Sequence, residues 1–374
     1  MSKTIFCSSL IFIIYTYLGY PAILYIWSKL EKKRVDKAYI YPRISVIIAV
    51  HNEAKNIRKR IHNLLQQDYP KEMYEIIVVS DGSTDLTEMI VREFLSNNVV
   101  LVSYKERKGK AYAINKAVKW TKGEIIIFTD ARQQFEIKAI QELVANFHDL
   151  KVGSVSGELH LMGKEKSKVG EGLDLYWRYE KWMRKKESEI YSIIGVTGAI
   201  YAVRRELYEA IPKGTILDDV YIPMKVVMKN YRVVFDSKAK AYDEIVDDHK
   251  REFKRKVRTL TGNYQLVKLC PQFLLPIINP LFFRYLSHKI CRLLIPFALL
   301  GLFISNYFIK EGIYNYLFYG QIVFYFLAIS YKWSFDSKIG RFLKLPRTFL
   351  VMNFAAFLGA VHFINLGSKG QDVW

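Results

Sequence analysis

The 374-residue chain is short of cysteine, of acidic residues and of glycine-rich loops, and each shortage excludes something. Cys7, Cys270 and Cys291 form an odd, scattered set in or beside apolar runs. They make neither a disulfide framework nor a zinc site. No GxGxxG follows the first candidate strand and no GxxxxGKS/T occurs anywhere, which argues against a dinucleotide enzyme or a P-loop ATPase. A bound nucleotide must then have its phosphates neutralised by other means, such as a carboxylate-held divalent cation with Arg and Lys. Acids number 36 against 56 Lys and Arg, and the net charge of +20 points to an anionic partner. That charge is spread along the chain and concentrates near apolar segments. This fits membrane topology and lipid contact, not nucleic-acid binding. With 51% hydrophobic and 15% aromatic residues, intrinsic disorder is excluded.

Long apolar runs are present at both ends. Ile5–Trp27 holds 23 residues without a charge, enough to cross about 30 Å of hydrocarbon. A cleaved signal peptide is the rival reading. The length, the single preceding Lys3 and the lack of a small-x-small cleavage site favour a retained anchor. Lys29, Lys32, Lys33 and Arg34 come next, so the positive-inside rule places the segment after them in the cytoplasm. Ile290–Ile309, Ile313–Tyr331 and Thr348–Leu366 are three further candidate spans. The nearly neutral link Lys310-Glu311-Gly312 is expected outside. The basic link from Lys332 to Arg347, with Asp336 its one acid, is expected inside, which leaves the C-terminus outside. Leu266–Leu286, broken by Pro271, Pro276 and Pro280, reads as interfacial. The division expected is 1–28 anchor, 40–262 catalytic domain, 263–289 interfacial segment and 290–374 transmembrane region.

The middle alternates strands and helices. Strands are expected at Ile44–Val50, Glu75–Val79, Val99–Ser103 and Glu124–Thr129. Helices are expected at Asn52–Gln67, Leu86–Leu95, Lys110–Trp120 and Ile137–Phe147. Alternation implies a parallel sheet with helices on both faces, with ligands beyond the carboxyl ends of the strands. His51-Asn52-Glu53, Asp81 and Asp130 all stand there. Any one of them could be a turn or an N-cap; three together point to a site.

The ordered set VIIAVHNEAKNI (46–57), IIVVSDGSTD (76–85), KGKAYAIN (108–115), IIIFTDARQ (125–133), VTGAIYAVRR (196–205), ILDDVYIPMKV (216–226) and KRKVRTLTGNYQ (254–265) resembles the membrane-bound branch of the family 2 glycosyltransferases, which have the GT-A fold. Cellulose, chitin and hyaluronan synthases belong to that branch. The resemblance implies an α/β, Rossmann-like GT-A catalytic domain between N- and C-terminal membrane helices. It also implies an inverting, metal-assisted transfer from a nucleotide-diphosphate sugar, with UDP favoured over GDP. The acceptor would be a membrane-associated glycan or lipid-linked sugar, and the product a surface polysaccharide.

By the same resemblance Asp81, helped by Ala49, Glu53 and Lys110, would bind the base or ribose. Lys110 also stands at a helix start, where a cation is unfavourable; an exposed lysine is the alternative. Asp130 matches the first Asp of the family's DxD motif, which holds Mg²⁺ or Mn²⁺ on the diphosphate. Here the second carboxylate is replaced by Arg132, which would meet phosphate or solvent. Asp219, beside Asp218, falls where the family has its general base, which takes the acceptor proton; the rival role is an N-cap. Arg258 matches the diphosphate Arg of QxxRW, while Arg255 replaces Gln and Thr259 replaces Trp, which weakens the case for processive synthesis. The rival reading of this stretch is a lipid-facing basic cluster. Thr197-Gly198-Ala199 resembles the acceptor-side loop. Trp177, Tyr179 and Trp182, between Leu173 and Lys186, are expected to pack or to lie at the membrane interface. Three or four spans are few for a polymer channel, so translocation would require a homodimer or an export partner. The alternative function is a catalytically weak sugar-nucleotide-binding subunit of a polysaccharide export complex.

Overall fold

The computed structural model describes residues 1–96, 98–162, 170–244, 249–330 and 338–366; for 170–175, 249, 338–342 and 366 it describes the backbone alone. The chain starts as an apolar rod. α1 (Ser2–Ile14) passes through a π-helical turn, Tyr15–Gly19, into α2 (Tyr20–Leu30). The strands and helices of the first half then come in strict alternation. They are β1 (Ile44–Val50), α3 (Ile57–Leu65), β2 (Tyr74–Asp81), α4 (Thr87–Arg92), β3 (Val99–Tyr104), α5 (Lys110–Val118) and β4 (Ile125–Thr129). The continuous apolar runs of β1, β2 and β4 are buried on both faces, as such runs require. One core holds Ile44, Val46, Ile48 and Ile76 beneath α3; the other holds Ile47, Ile77 and Val79 beneath α5.

After β4 the alternation breaks. β5 (Gln134–Phe135), α6 (Ala139–Ala145), β6 (Val152–Met162), α7 (Gly170–Ile190), β7 (Tyr201–Arg204), α8 (Asp218–Met228), β8 (Arg232–Glu244) and α9 (His249–Leu269) complete the globular part. One eight-stranded sheet results, in the order β3-β2-β1-β4-β7-β6-β8-β5. Its first four strands are parallel, as the sequence implies, but β7 lies antiparallel to both β4 and β6. The sheet is therefore mixed, correcting the expectation of a wholly parallel one. The cause is the connection through α7, which returns the chain to β4 from the opposite end. The strand order reverses at β1 and β4, so a crevice opens beyond their carboxyl ends.

Four helices are long and apolar enough to cross a membrane: Ser2–Leu30, Phe282–Tyr307, Gly312–Ser330 and Leu343–Asn365. The second comprises α10 (Phe282–Arg284), a π-helical turn (Tyr285–Ile290) and α11 (Cys291–Tyr307). α12 (Gly312–Ser330) and α13 (Lys338–Leu366) come after it. The second helix starts at Phe282, ahead of the expected Ile290, because Arg284 does not interrupt it. Arg284 is buried and donates to the carbonyls of Glu187 (3.1 Å) and Ser192 (2.7 Å). α13 lies along α9, with Phe354 stacked on Phe253 and Gly359 against Leu260. Residues 331–337, which hold the last residue of the expected span Ile313–Tyr331 and the first part of the basic link, are outside the described residues, as are residues 367–374.

α7 ties the two parts together. Its Tyr179 and Trp182 pack with Tyr20, Leu24, Met183 and Ile190, the packing role expected of them. Its Glu180 and Glu187 face both ring nitrogens of buried His288, at 3.1 and 2.7 Å, and Glu180 also pairs with Arg292. On the other side of the linker, Lys37 bridges Glu142 (2.5 Å) and Asp236 (2.6 Å).

Candidate active site

The crevice is built by short connections that leave each strand at its carboxyl end. β2 ends in Asp81, whose side chain turns inward. It is only 1% exposed. Its Oδ1 accepts from the Tyr104 hydroxyl (2.8 Å) and the Lys108 amide (2.7 Å), and Oδ2 accepts from the Gly109 amide (2.8 Å). Asp81 thus clasps the loop that delivers Lys110. Gly82 completes the clasp: at φ +63°, its missing Cβ would lie 2.7 Å from the Arg107 nitrogen. Ala49 is half-buried on β1, paired with Val79 of β2. Glu53 accepts from the Asn56 side chain at 2.6 Å, at the entry to α3.

β4 ends at Thr129-Asp130. Behind it stands Arg60, fully buried, with its guanidinium 4.1 Å from the centre of the Phe135 ring. Arg60 donates to Thr129 Oγ1 at 2.7 Å, and that hydroxyl donates to the Ala199 carbonyl at 2.8 Å. Burial pushes the Arg60 guanidinium down to about 9. No sequence motif marks this residue; an arginine in the apolar stripe of α3 is the available signal.

Lys110, the first residue of α5, reaches across to Asp130 Oδ1 (3.1 Å) and Asp218 Oδ2 (3.6 Å). Burial works against its charge, yet Asp130 and then Asp218 more than offset this and raise its pKa. Two carboxylates in a poorly hydrated crevice therefore resolve the unfavourable cation at a helix start. The exposed-lysine alternative fails, since the side chain is 18% exposed.

α8 opens with Asp218 and Asp219. Its N-cap is Leu217, with no side-chain cap, so neither carboxylate is spent on capping. Asp218 Oδ2 is buried without a hydrogen bond. Asp219 is pushed up to about 6, first by burial and then by Asp218, against the pull of Lys110, Lys289 and Arg184. Its backbone carbonyl accepts from Val196 at 2.8 Å, which brings the 197–199 loop over it. A Cβ on Gly198 would sit 3.5 Å from Asp219 Oδ2.

The structure thus gathers Lys110, Asp130, Asp218 and Asp219, with Asp81 beneath. Arg132 turns to buried Asp243 (3.5 Å), its side chain still 38% exposed. Arg255 pairs with Glu252 (2.9 Å) on the exposed face of α9, and Arg258 is exposed on the same helix. Lys256 is the residue of that cluster turned inward, between the Tyr176 and Trp177 rings at 5.0 Å from each.

No group of three His, Cys, Asp or Glu side chains that could hold a metal occurs among the described residues. Asp130, 40% exposed at its side chain, offers a hard oxygen. The buried, unbonded Oδ2 of Asp218 is a second negative atom close by. This donor set fits a divalent cation that takes its other ligands from water and a diphosphate, the usual Mg²⁺ arrangement.

The sheet order, the strand-end carboxylates and the loop over Asp219 define a Rossmann-like GT-A fold. Residues 45–211 match the family model described as Glycosyl transferase family 2. It is 27% identical over 243 residues to the probable glycosyltransferase YdaM of Bacillus subtilis, a match covering 62% of this chain and 58% of that protein. It is 23% identical over 231 residues to the poly-beta-1,6-N-acetyl-D-glucosamine synthase of Staphylococcus aureus, covering 60% of this chain and 55% of that one. The chain thus spans little more than half the length of these curated relatives. Among solved structures, a mannosyltransferase from Pyrobaculum calidifontis in complex with GDP-Man and Mn²⁺ superposes with a TM-score of 0.73 at 22% identity. That match covers 97% of this chain and 99% of the other.

Proposed function

We propose that the chain is an inverting glycosyltransferase, moving a sugar from a nucleotide-diphosphate donor to a membrane-associated acceptor for surface polysaccharide synthesis. The observation that carries this is the convergence of Lys110, Asp130, Asp218 and Asp219 at the carboxyl edge of the sheet, with Gly198 leaving open the space beside Asp219. The names of the relatives, a glycosyltransferase and a polysaccharide synthase, support it. The basic residues after the first apolar helix support a cytoplasmic catalytic domain.

In the reaction the acceptor hydroxyl attacks the anomeric carbon. A new carbon–oxygen bond forms as the bond to the diphosphate breaks, and the electron pair leaves with the nucleoside diphosphate. The acceptor proton passes to Asp219. A carboxylate pushed up to about 6 is well matched to taking a proton near neutral pH. Lys110 faces the diphosphate and favours the leaving group as its charge grows. Arg258, and Arg255 beside it on the exposed face of α9, would add positive charge to the diphosphate. Asp130 would hold Mg²⁺ or Mn²⁺, which supplies further positive charge to the diphosphate when bound. Asp81 acts through the loop it clasps, together with Ala49 and Glu53 at the nucleotide end of the crevice.

The test offers UDP- and GDP-sugars, UDP-sugars being preferred, with membrane lipid extract to protein in nanodiscs, with and without a chelator. Release of nucleotide from one donor, reduced by chelation, is expected. A donor that binds without being consumed would leave a binding subunit instead.

Two further results are expected. Because the working form of Asp219 is the carboxylate, kcat/KM should be level above pH ~6 and fall about tenfold per unit below it. A profile flat down to pH ~5 would remove Asp219 as the base. Gly198→Ala should fold normally, since 3.5 Å is ordinary contact, and should bind nucleotide as before. Its methyl occupies the acceptor's approach, so transfer should fall by about 10²-fold, the scale of small misplacements. Parallel nucleotide-binding and transfer assays check this.

A further inference from the structure

Arg60 is a buried charge for which the reaction above has no use. It stands in the apolar stripe of α3 with Ile57, Ile61 and Leu64, at 0% exposure. Its hydrogen bonds go to neutral groups. Nη1 donates to Asn63 Oδ1 (2.6 Å), Nη2 donates to Thr129 Oγ1 (2.7 Å), and Nε is buried without a bond. No carboxylate pairs with it among the described residues. A buried charge held by neutral groups is costly, and an apolar side chain of similar volume would fill the same space at less cost. Packing alone therefore does not account for it.

Arg60 holds two walls of the crevice. A guanidinium only donates, so the Thr129 hydroxyl must accept from it and turn its own proton elsewhere. That proton goes to the Ala199 carbonyl at 2.8 Å, nearer than the Asp130 carbonyl at 3.4 Å. The bond takes over where the backbone ladder between β4 and β7 stops, at Phe128 opposite Tyr201. It ties the 197–199 loop, with Gly198 beside Asp219, to the strand end that carries Asp130. On the other side, Asn63 Oδ1 also accepts from the Phe135 amide (2.8 Å), and Asn63 Nδ2 donates to the Phe135 carbonyl (2.9 Å). The Phe135 ring faces the guanidinium at 4.1 Å. The segment from Asp130 to Phe135 is thus anchored at both ends by Arg60 and its partners.

We propose that Arg60 is a positioning residue: through Thr129 it fixes the 197–199 loop over Asp219, and through Asn63 and Phe135 it fixes the segment that carries Asp130. Arg60 itself touches no substrate. The consequence for transfer rests on the transferase reading; the tether of the loop stands by itself.

The test compares Thr129→Val, Thr129→Ser, Arg60→Met and the double variant Arg60→Met/Thr129→Val, each as the full chain in nanodiscs. It measures melting, UDP and GDP binding, transfer to membrane lipid extract, and hydrogen exchange of the 196–200 amides. Thr129→Val leaves the Ala199 carbonyl and one arm of Arg60 without a partner, so it should melt below wild type. The double variant removes the orphaned donor and should regain stability relative to Thr129→Val. Transfer should not follow stability. It should fall about 10²-fold in both variants that lack the hydroxyl, the scale of a small misplacement, while nucleotide binding is unchanged. Exchange should speed up at Thr197 and Ile200, whose amides donate to Ser156 Oγ and the Thr197 carbonyl at 2.9 Å each. Arg60→Met keeps the hydroxyl but frees its proton to turn, and should show part of the same loss. Thr129→Ser should restore both transfer and slow exchange. Transfer that recovers with stability in the double variant would make Arg60 and Thr129 merely structural and overturn the proposal. Wild-type exchange of the loop in Thr129→Val would overturn it as well. If the wild type consumed no donor while the exchange changes held, the transferase reading would fall and the tether would stand.

Discussion

Asp219→Asn should lower sugar transfer by roughly 10²–10⁴-fold, the usual contribution of a positioned base, with donor affinity little changed. The substitution keeps the shape of the side chain and removes only its ability to take the acceptor proton. It should not weaken the fold. Burial and Asp218 push the Asp219 carboxyl up to about 6, so the native state binds this proton more tightly than the unfolded chain does. The stability this gives is present at low pH and is lost as pH rises through the folded value. At neutral pH the wild type carries that cost and the Asn variant does not. A thermal melting temperature equal to or above wild type at pH 7, with transfer lost, is the expected pair of results. Loss of both would mark Asp219 as structural.

Lys110→Met should be the more damaging change. In the wild type one ammonium serves Asp130 at 3.1 Å and Asp218 at 3.6 Å. Without it Asp218, 8% exposed at its side chain, becomes a buried charge with no partner, a situation that costs about 3–5 kcal/mol. The loss of a fixed cation at the diphosphate should reduce kcat by a further ~10²–10³-fold. Melting curves separate the two effects. Lys110→Arg should rescue poorly, because a guanidinium does not fit where an ammonium is 18% exposed between two carboxylates.

Much of this site was legible in the sequence because its residues stand at strand ends that the hydrophobic pattern marks. ISVIIAV and EIIIFT could only be strands buried on both faces, and the residues directly after each had to stand at the crevice. Asp81 and Asp130 are legible that way; Lys110 and the Asp218-Asp219 pair are legible through the family resemblance, Lys110 also through its place at a helix start. The orientation of side chains was not legible. Asp81 sits at the right strand end, yet its carboxylate is spent on Tyr104, Lys108 and Gly109. Arg132 occupies a motif position but is drawn to Asp243 on β8, a strand more than a hundred residues later. Arg184, Lys289 and Arg60 belong to amphipathic or apolar segments whose pattern speaks of packing. Only tertiary contacts bring Arg184 to Thr197 and Arg60 to Thr129. The antiparallel β7 escapes sequence reading for the same reason, since a four-residue strand after a long helix leaves no periodic signal.

The central claim is that a single base, Asp219, directs one in-line attack at the anomeric carbon. The most direct measurement is the anomeric configuration of the transferred sugar, read by NMR on product made in nanodiscs from an α-linked nucleotide sugar. One displacement predicts a β-linked product, absent when Asp219→Asn is used. An α-linked product, or the same product from the variant, would contradict it.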